Sequence, residues 1–323
     1  MLALVVRRTS IALVVAFLVA TVSFVLIHAA PGEPFAAMRE NSRITAEMAR
    51  QIRVRYGLDR PLGEQYLRYM GRLVRGDLGE SYVQRRSVGA VLADALPRTL
   101  LLMSTALVLA FALGITLGAW QAYRRGSRFD SVASTISLTL ASIPEYLLAL
   151  VMMTLFAYKL SLFPTGDMTD PVMWRFMSPL QRLLDVAKHL VLPATTLVLI
   201  IGAVVSRYQR AALLDILPDD FVRTAKAKGL TPPRVLFVHA LRNALLPTIT
   251  LMGLSFPALV GGAVFVETVF SWPGMGRTIV DALAAHDYPL VVGSLVVGSL
   301  FVVAGSFVAD AAALIADPRT RSA

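Results

Sequence analysis

The sequence predicts an all-α, polytopic membrane protein with six transmembrane helices. Composition is the first sign: of 323 residues 56% are hydrophobic and only 16% charged, and the mean hydropathy is +0.65, outside soluble-domain usage. The second is that the apolar residues gather in blocks of about 20, the length that crosses roughly 30 Å of hydrocarbon. The third is the placement of charge. The formal net charge is +10, and most of the basic residues lie in the loops between blocks. There they orient the chain or meet anionic lipid headgroups, so membrane lipid is an expected partner and nucleic acid is not.

Arg7 and Arg8 precede an apolar run over residues 10–30. The run exceeds the usual signal-peptide core, so it reads as a first span with a cytoplasmic N-terminus. Residues 31–98 are polar, with 12 Arg and no Lys. That stretch is too long for the positive-inside rule to count, which leaves an outside location open. Within it, Thr45 caps a helix expected over 45–56. Residues 61–75 form an amphipathic helix, with Tyr66, Leu67, Met70 and Leu73 at helical spacing. Gly71, Gly76 and Gly79 make the following stretch turn-rich. Two readings of 31–98 stand open: a cap lying over the helices, or a docking element for an external partner.

The second span covers 99–122, and its Gly114 and Gly118 form a G-x-x-x-G pair that permits close helix approach. Arg124, Arg125 and Arg128 make the next loop cytoplasmic. The third span, 131–159, is interrupted at Ile143-Pro144-Glu145, where proline removes a backbone hydrogen bond and kinks the helix. Residues 160–189 return to the outside and include Trp174 and an amphipathic piece at 180–190. The fourth span covers 190–205, with Pro193 near its start. The fifth covers 244–270 and the sixth 289–315. Six spans put both termini on one side, and the Lys/Arg surplus of the inside segments makes that side the cytoplasm. The expected division is 1–98 for the first span and long outer segment, 99–318 for a five-helix body, and 319–323 for a cytoplasmic tail.

Inside the body lies a polar island, 206–247, with Arg207, Arg210, Arg223, Lys226, Lys228, Arg234 and Arg242. Asp219 and Asp220 are good N-cap residues, Gly229 suits a left-handed C-terminal cap, and Thr231-Pro232 restarts a second helix. A basic helix–Gly–helix between spans suits contact with a cytoplasmic partner.

No sequence motif for chemistry appears. There is no G-x-x-x-x-G-K-[ST], no H-E-x-x-H, no G-x-S-x-G and no G-x-G-x-x-G after a strand. With no cysteine, thiol nucleophiles, disulfides and Cys-ligated metals are excluded. His28, His189, His239 and His286 show no ligand spacing. No catalytic residue, metal or bound cofactor is therefore expected, and any ATP-driven step belongs to another subunit. Ionisable residues in or near spans are costly, by about 2.5–3.5 kcal/mol at a helix centre, and should face protein or a water-filled cavity. Glu145 is the first candidate for a translocation-pathway residue. Glu267 is the second and is placed to reach the outer surface. Asp310, placed to pair with Arg319, is the third. An ATP-independent carrier would want several such charges and repeats, neither of which is evident.

Three stretches resemble the permease subunits of type I ATP-binding-cassette importers, in the dipeptide/oligopeptide/nickel family. One is Asp220-Phe221-Val222-Arg223-Thr224-Ala225-Lys226-Ala227-Lys228-Gly229-Leu230, followed by His239 to Pro247, which looks like that family's cytoplasmic "EAA" loop. Another is Glu267-Thr268-Val269-Phe270-Ser271-Trp272-Pro273-Gly274-Met275-Gly276. The last joins Tyr56-Gly57-Leu58-Asp59-Arg60-Pro61 with Gly76-Asp77-Leu78-Gly79-Glu80-Ser81, typical of the first of two paired permeases; the final Asp317-Pro318-Arg319 fits too. Arg223-Thr224-Ala225 departs from the general Glu-Ala-Ala, which puts any salt bridge of that Glu in doubt.

The resemblance implies the type I permease fold, a second permease, two ATPase subunits that bind ATP and Mg, an extracytoplasmic binding protein, and a prokaryotic inner-membrane location. It implies di- or oligopeptide cargo, with nickel chelates, glutathione or oligosaccharides as the alternative. It further implies that Asp219, Asp220, Phe221, Arg223, Thr224, Ala225, Lys226, Ala227, Lys228 and Gly229 form an ATPase-coupling helix. In that reading Ala225 and Ala227 allow close approach and Gly229 fixes a corner.

Overall fold

A computed structural model describes residues 2–29, 59–255, 258–261 and 263–316. The helix expected over 45–56, Tyr56-Gly57-Leu58, Asp317-Pro318-Arg319, the tail and the side chain of Asp310 lie outside the described residues. The described chain is helical almost throughout. The helices are α1 (Leu2–Ala29), α2 (Leu62–Val74), α3 (Val88–Tyr123), α4 (Arg128–Ser142) and α5 (Glu145–Met152), with a π-helical extension Met153–Lys159. After a 3-10 turn at Met173–Phe176 come α6 (Pro179–Ile216), α7 (Asp220–Ala227) and α8 (Pro232–Leu254), the last containing a π-helical stretch Val235–Ala240. Four more follow: α9 (Ala258–Gly261), α10 (Val264–Val269), α11 (Met275–Ala284) and α12 (Tyr288–Ala316).

Among the described residues four helices are long and apolar enough to cross a membrane: α3, α6, α8 and the first 19 residues of α12. The pair α4 and α5 makes a fifth if its two arms, bent by 106°, count as one span. Helix α1 is 28 residues long, and within it Leu13–Leu26 is an apolar stretch of described residues. Among the described residues, length and composition thus support four or five of the six expected spans.

Four spans differ from expectation. The second starts earlier, at Val88. The fifth, expected over 244–270, is α8, Pro232–Leu254, followed by the separate short helices α9 and α10. The fourth and third differ for identifiable reasons. The fourth is one 38-residue helix, α6, and not 190–205. It starts earlier because Ser178 and Gln181 form a complete capping box, and it continues to Ile216 because 206–216 holds no Gly or Pro. Pro193 sits inside it. At 1.5 Å per residue α6 is about 57 Å long, so it extends well past the hydrocarbon. The third span is broken outright. Ile143 is extended (φ −77, ψ 130), as a residue before proline prefers, and Pro144 has no N–H to rejoin the ladder.

Contacts group the chain into two units, one of 1–98 with 274–303, the other of 99–273 with 304–323. In the first, Ala20 of α1 and Val292 and Val296 of α12 form a small core, covered by Tyr69, Met70 and Leu73 of α2. Tyr66 reaches Thr21 Oγ1 at 2.8 Å, and Phe24 lies against Tyr66 and Tyr69. The inward face of α2 thus runs through Tyr69, while Leu67, expected there, is 71% exposed. The turn after α2 is held by the buried Asp287, whose carboxylate accepts from Ser81 Oγ and from the N–H groups of Tyr82 (3.1 Å) and Val83 (3.2 Å).

The second unit has two cores. One gathers Leu102, Met103 and Ala106 of α3, Leu148 and Met152 of α5, Leu192 and Leu197 of α6, and Val266, Phe270 and Trp272. The other gathers Ala119 and Ala122 of α3, Leu213 of α6, Val222 and Ala225 of α7, and Val235, Leu236, Ala240 and Ala244 of α8. Between them α3 and α6 cross at Gly114 and Gly118, the pair that reads as a packing signal. A Cβ on Gly118 would lie 2.4 Å from the Ser206 carbonyl oxygen and 2.9 Å from Gln209 Cβ.

Gly118→Ala is therefore expected to destabilise the chain by about 1–3 kcal/mol, the range for overpacking. Gly89→Ala, where a Cβ meets nothing within 4 Å, should be neutral or stabilising. Thermal midpoints in detergent measure both.

Candidate functional site

The site begins with what holds α7 in place. Its eight residues follow Asp219, whose backbone is extended (φ −63, ψ 151) as an N-cap requires. The Asp219 side chain makes no capping bond; its carbonyl accepts from the N–H groups of Val222 (3.0 Å) and Arg223 (3.1 Å). The other end closes as a Schellman motif. Gly229 N–H donates to the Lys226 carbonyl at 2.9 Å and Leu230 N–H to that of Ala225 at 3.4 Å, with Gly229 at φ +76. That left-handed conformation is why glycine stands there.

The helix has two faces. Val222 and Ala225 are buried against Leu213, Val235, Leu236 and the small residues of α3. Phe221, Arg223, Thr224, Lys226, Ala227 and Lys228 are exposed, Phe221 by 40%. Ala225 therefore serves the seat of α7 within its own subunit, a correction to its expected place on the outward face. Its three-residue spacing from Val222 puts the two on one side of the helix. Ala227 keeps the outward position. Arg223 lies 3.7 Å from Asp220, both highly exposed, a pairing worth little in water.

The seat itself is fixed by polar contacts inside the protein. Along α6, Ser206, Gln209 and Arg210 each reach another helix. Ser137 of α4 hydrogen-bonds Ser206 Oγ at 3.2 Å. Gln209 Nε2 donates to the Ala244 carbonyl of α8 at 3.2 Å, and Thr248 Oγ1 donates to Gln209 Oε1 at 2.7 Å. Arg210 grips Asp130, the start of α4, with Nε on Oδ1 at 2.7 Å and Nη2 on Oδ2 at 2.9 Å. Asp130 also accepts from the Gly126 N–H (3.0 Å) and Ser134 Oγ (3.4 Å), and it is buried. Sequence reasoning counted Arg210 as part of a basic loop and Asp130 as the end of one. The signal for this set was Ser206, Gln209, Arg210 and Leu213, spaced i, i+3, i+4, i+7.

The two pathway candidates sit differently. Glu145 opens α5 at the break and is half-buried, with Oε1 unpartnered among the described residues and the Val266 N–H facing its carboxylate. Glu267 is fully buried and accepts from Thr99 Oγ1 at 2.8 Å. Its carboxylate is thus inside the protein, away from the surface where the sequence had placed it. The loop beyond it is tied back in turn, with the Asp167 N–H donating to the Phe270 carbonyl at 2.9 Å. Among the described residues no group of three or more His, Asp or Glu converges to hold a metal.

Several apolar spans, one of them broken, and an exposed basic helix seated on a buried polar joint define an integral membrane permease component. The chain belongs to the family described as the binding-protein-dependent transport system inner membrane component, the permeases of ATP-binding-cassette importers; that family's model matches residues 114–322, and a companion N-terminal model matches 1–103. It is 38% identical to a di/tripeptide transport system permease protein of Pseudomonas aeruginosa and 37% identical to an oligopeptide transport system permease protein of Bacillus subtilis, covering 99% of each chain in both comparisons. It is 34% identical to a glutathione transport system permease protein of Escherichia coli, over 94% of each chain.

Ala225→Phe is expected to unseat α7, so that trypsin cuts after Arg223, Lys226 and Lys228 several-fold faster than in the parent. Ala227→Phe should leave the cutting rate unchanged. Time courses of limited proteolysis on the purified protein compare the two.

Proposed function

We propose that this chain is one of two homologous permeases of a peptide importer, and that α7 with Gly229 is where ATPase subunits push on it. The single observation that carries the coupling role is the division of α7 into two faces. Val222 and Ala225 are used at home, while an aromatic knob, Phe221, and three cations, Arg223, Lys226 and Lys228, are left exposed on a short, firmly capped helix. An apolar groove with an acidic rim on an ATPase would complement that face. Asp219, Asp220, Thr224 and Ala227 complete the contact set. ATP and Mg belong to the two ATPase subunits, since this chain carries no phosphate-binding loop.

In this reading residues 206–247 and both termini face the cytoplasm, and the body 99–318 crosses a prokaryotic inner membrane. Residues 1–98 supply the first span and the outer segment, and 319–323 the tail. An extracytoplasmic binding protein delivers cargo. ATP-driven closure of the ATPases moves α7 and rocks the spans between inward- and outward-open states. Glu145 lines the path at the break, and Glu267 braces the neighbouring segment from inside. Peptides are the favoured cargo because the di/tripeptide and oligopeptide relatives match nearly the whole chain at 38% and 37% identity. The glutathione relative, at 34%, favours the alternative less.

Gly229→Trp is expected to cut peptide uptake per ATP hydrolysed at least tenfold in proteoliposomes holding the full complex, while the chain still inserts. Normal, substrate-stimulated transport by that variant would overturn the reading of α7.

A further inference from the structure

We propose that the Asp130–Arg210 pair is a positioning clamp that carries displacement of α7 into the broken span. This rests on α7 being the ATPase-contacting helix. The chain of contacts lies within one unit and has no gap. α7 sits on Leu213 of α6 through Val222 and Ala225. One turn before Leu213, Arg210 holds the first turn of α4 through two charge-assisted hydrogen bonds to Asp130. One turn further back, Ser206 holds α4 again at Ser137. Gly118 of α3 closes the other side of the joint, with no room for even a methyl group against Ser206 and Arg210. α4 is therefore pinned to α6 at two points about 10 Å apart along its axis, seven residues at 1.5 Å each.

The far end of α4 is the opposite case. It stops at Ser142, and the chain turns by 106° at Ile143-Pro144 before α5 begins with Glu145. Proline cannot donate a backbone hydrogen bond across that turn. A displacement delivered to α6 thus finds a stiff joint at Asp130 and a soft one at Pro144. α4 should travel with α6 as a rod and change the angle at the break, where the pathway carboxylate Glu145 sits. A bidentate ion pair whose carboxylate is buried suits the stiff end, because separating it leaves the Asp130 charge buried and uncompensated.

The test uses the complete complex in proteoliposomes, scored for ATP hydrolysis and for peptide uptake on the same vesicles. Asp130→Asn removes the charge and keeps a single acceptor oxygen, enough for Gly126 N–H or Ser134 Oγ but not for both, since they bond different oxygens of Asp130. Arg210→Lys keeps the charge and loses the fork. Expected for either is an assembled complex whose ATP hydrolysis stays within twofold while uptake per ATP falls at least tenfold. The chain has no cysteine, so Ser137→Cys with Ser206→Cys adds a unique pair beside the clamp. In the Asp130→Asn background, oxidation of that pair should restore uptake per ATP at least threefold, and reduction should abolish the gain. A merely structural role would move assembly and leave the ratio alone. The clamp is overturned if uptake per ATP is unchanged in both single variants, or if both simply fail to assemble with the ATPases. Failure of the α7 reading shows itself separately, as normal coupling in Gly229→Trp.

Discussion

The structure depends first on how closely α3 and α6 approach each other. Gly118 brings the backbone of α6 to within contact distance of α3 at Ser206 and Arg210. Once α6 lies that near, Ser206, Gln209 and Leu213 are inside the protein and Arg210 is half-buried, while Arg207, Tyr208 and Ala211 stay exposed. Each inward polar group must then find an internal partner, since an unsatisfied buried group costs about 1–3 kcal/mol. Ser206, Gln209 and Arg210 find theirs on α4 and α8. The small-residue crossing therefore does more than pack two helices. It converts the end of α6 into the point where four helices are joined, and α7 is seated on that point.

What the sequence made legible was local. Gly229 takes positive φ because a helix stop with glycine at that offset has few alternatives. Gly114 and Gly118 mark a crossing because two glycines four apart have no side chain between two backbones. The amphipathic helix after Pro61 is present as Leu62–Val74. What stayed hidden was set by partners elsewhere in the chain. Hydropathy ends the fourth span at 205, where the residues turn polar. The helix continues because its polar side chains bond to α4 and α8, information absent from a local window. Ala225 follows the same logic. Its size was correctly read as a need for close approach, but the surface approached is α6 and α8 of its own chain. Glu267 looked close to the surface because it lies near the end of its expected span, and its acceptor role for Thr99, 168 residues away, cannot be seen from neighbours in sequence.

The charges of the island divide along the same line. Arg210 is the basic residue there with a bidentate carboxylate partner, and that partner is buried. Among the described residues Arg223 has only a long exposed contact with Asp220. A surface pair of that kind contributes little and leaves the guanidinium available. The departure from the general Glu-Ala-Ala pattern at Arg223 then has a physical reading. The seat of α7 needs no inward salt bridge at that position, because Val222 and Ala225 already supply it through apolar contact. Cations on an exposed face are least costly where bulk water solvates them, and they become specific only when a surface of opposite sign excludes that water.

Stiff and soft elements are consequently arranged in series along the second unit. The seat of α7 is apolar and tightly capped, the joint beneath it is polar and buried, and the break at Pro144 lacks a backbone hydrogen bond. A motion imposed on such a series concentrates where resistance is least. In a membrane that place cannot be a lipid-exposed loop, because free backbone groups there have no water to bond. It has to lie against protein or a wet cavity. The half-buried Glu145 at the break, with the Val266 N–H facing it, meets that requirement. The break of the third span at Pro144 is thus also where its carboxylate, Glu145, lies half-buried against protein.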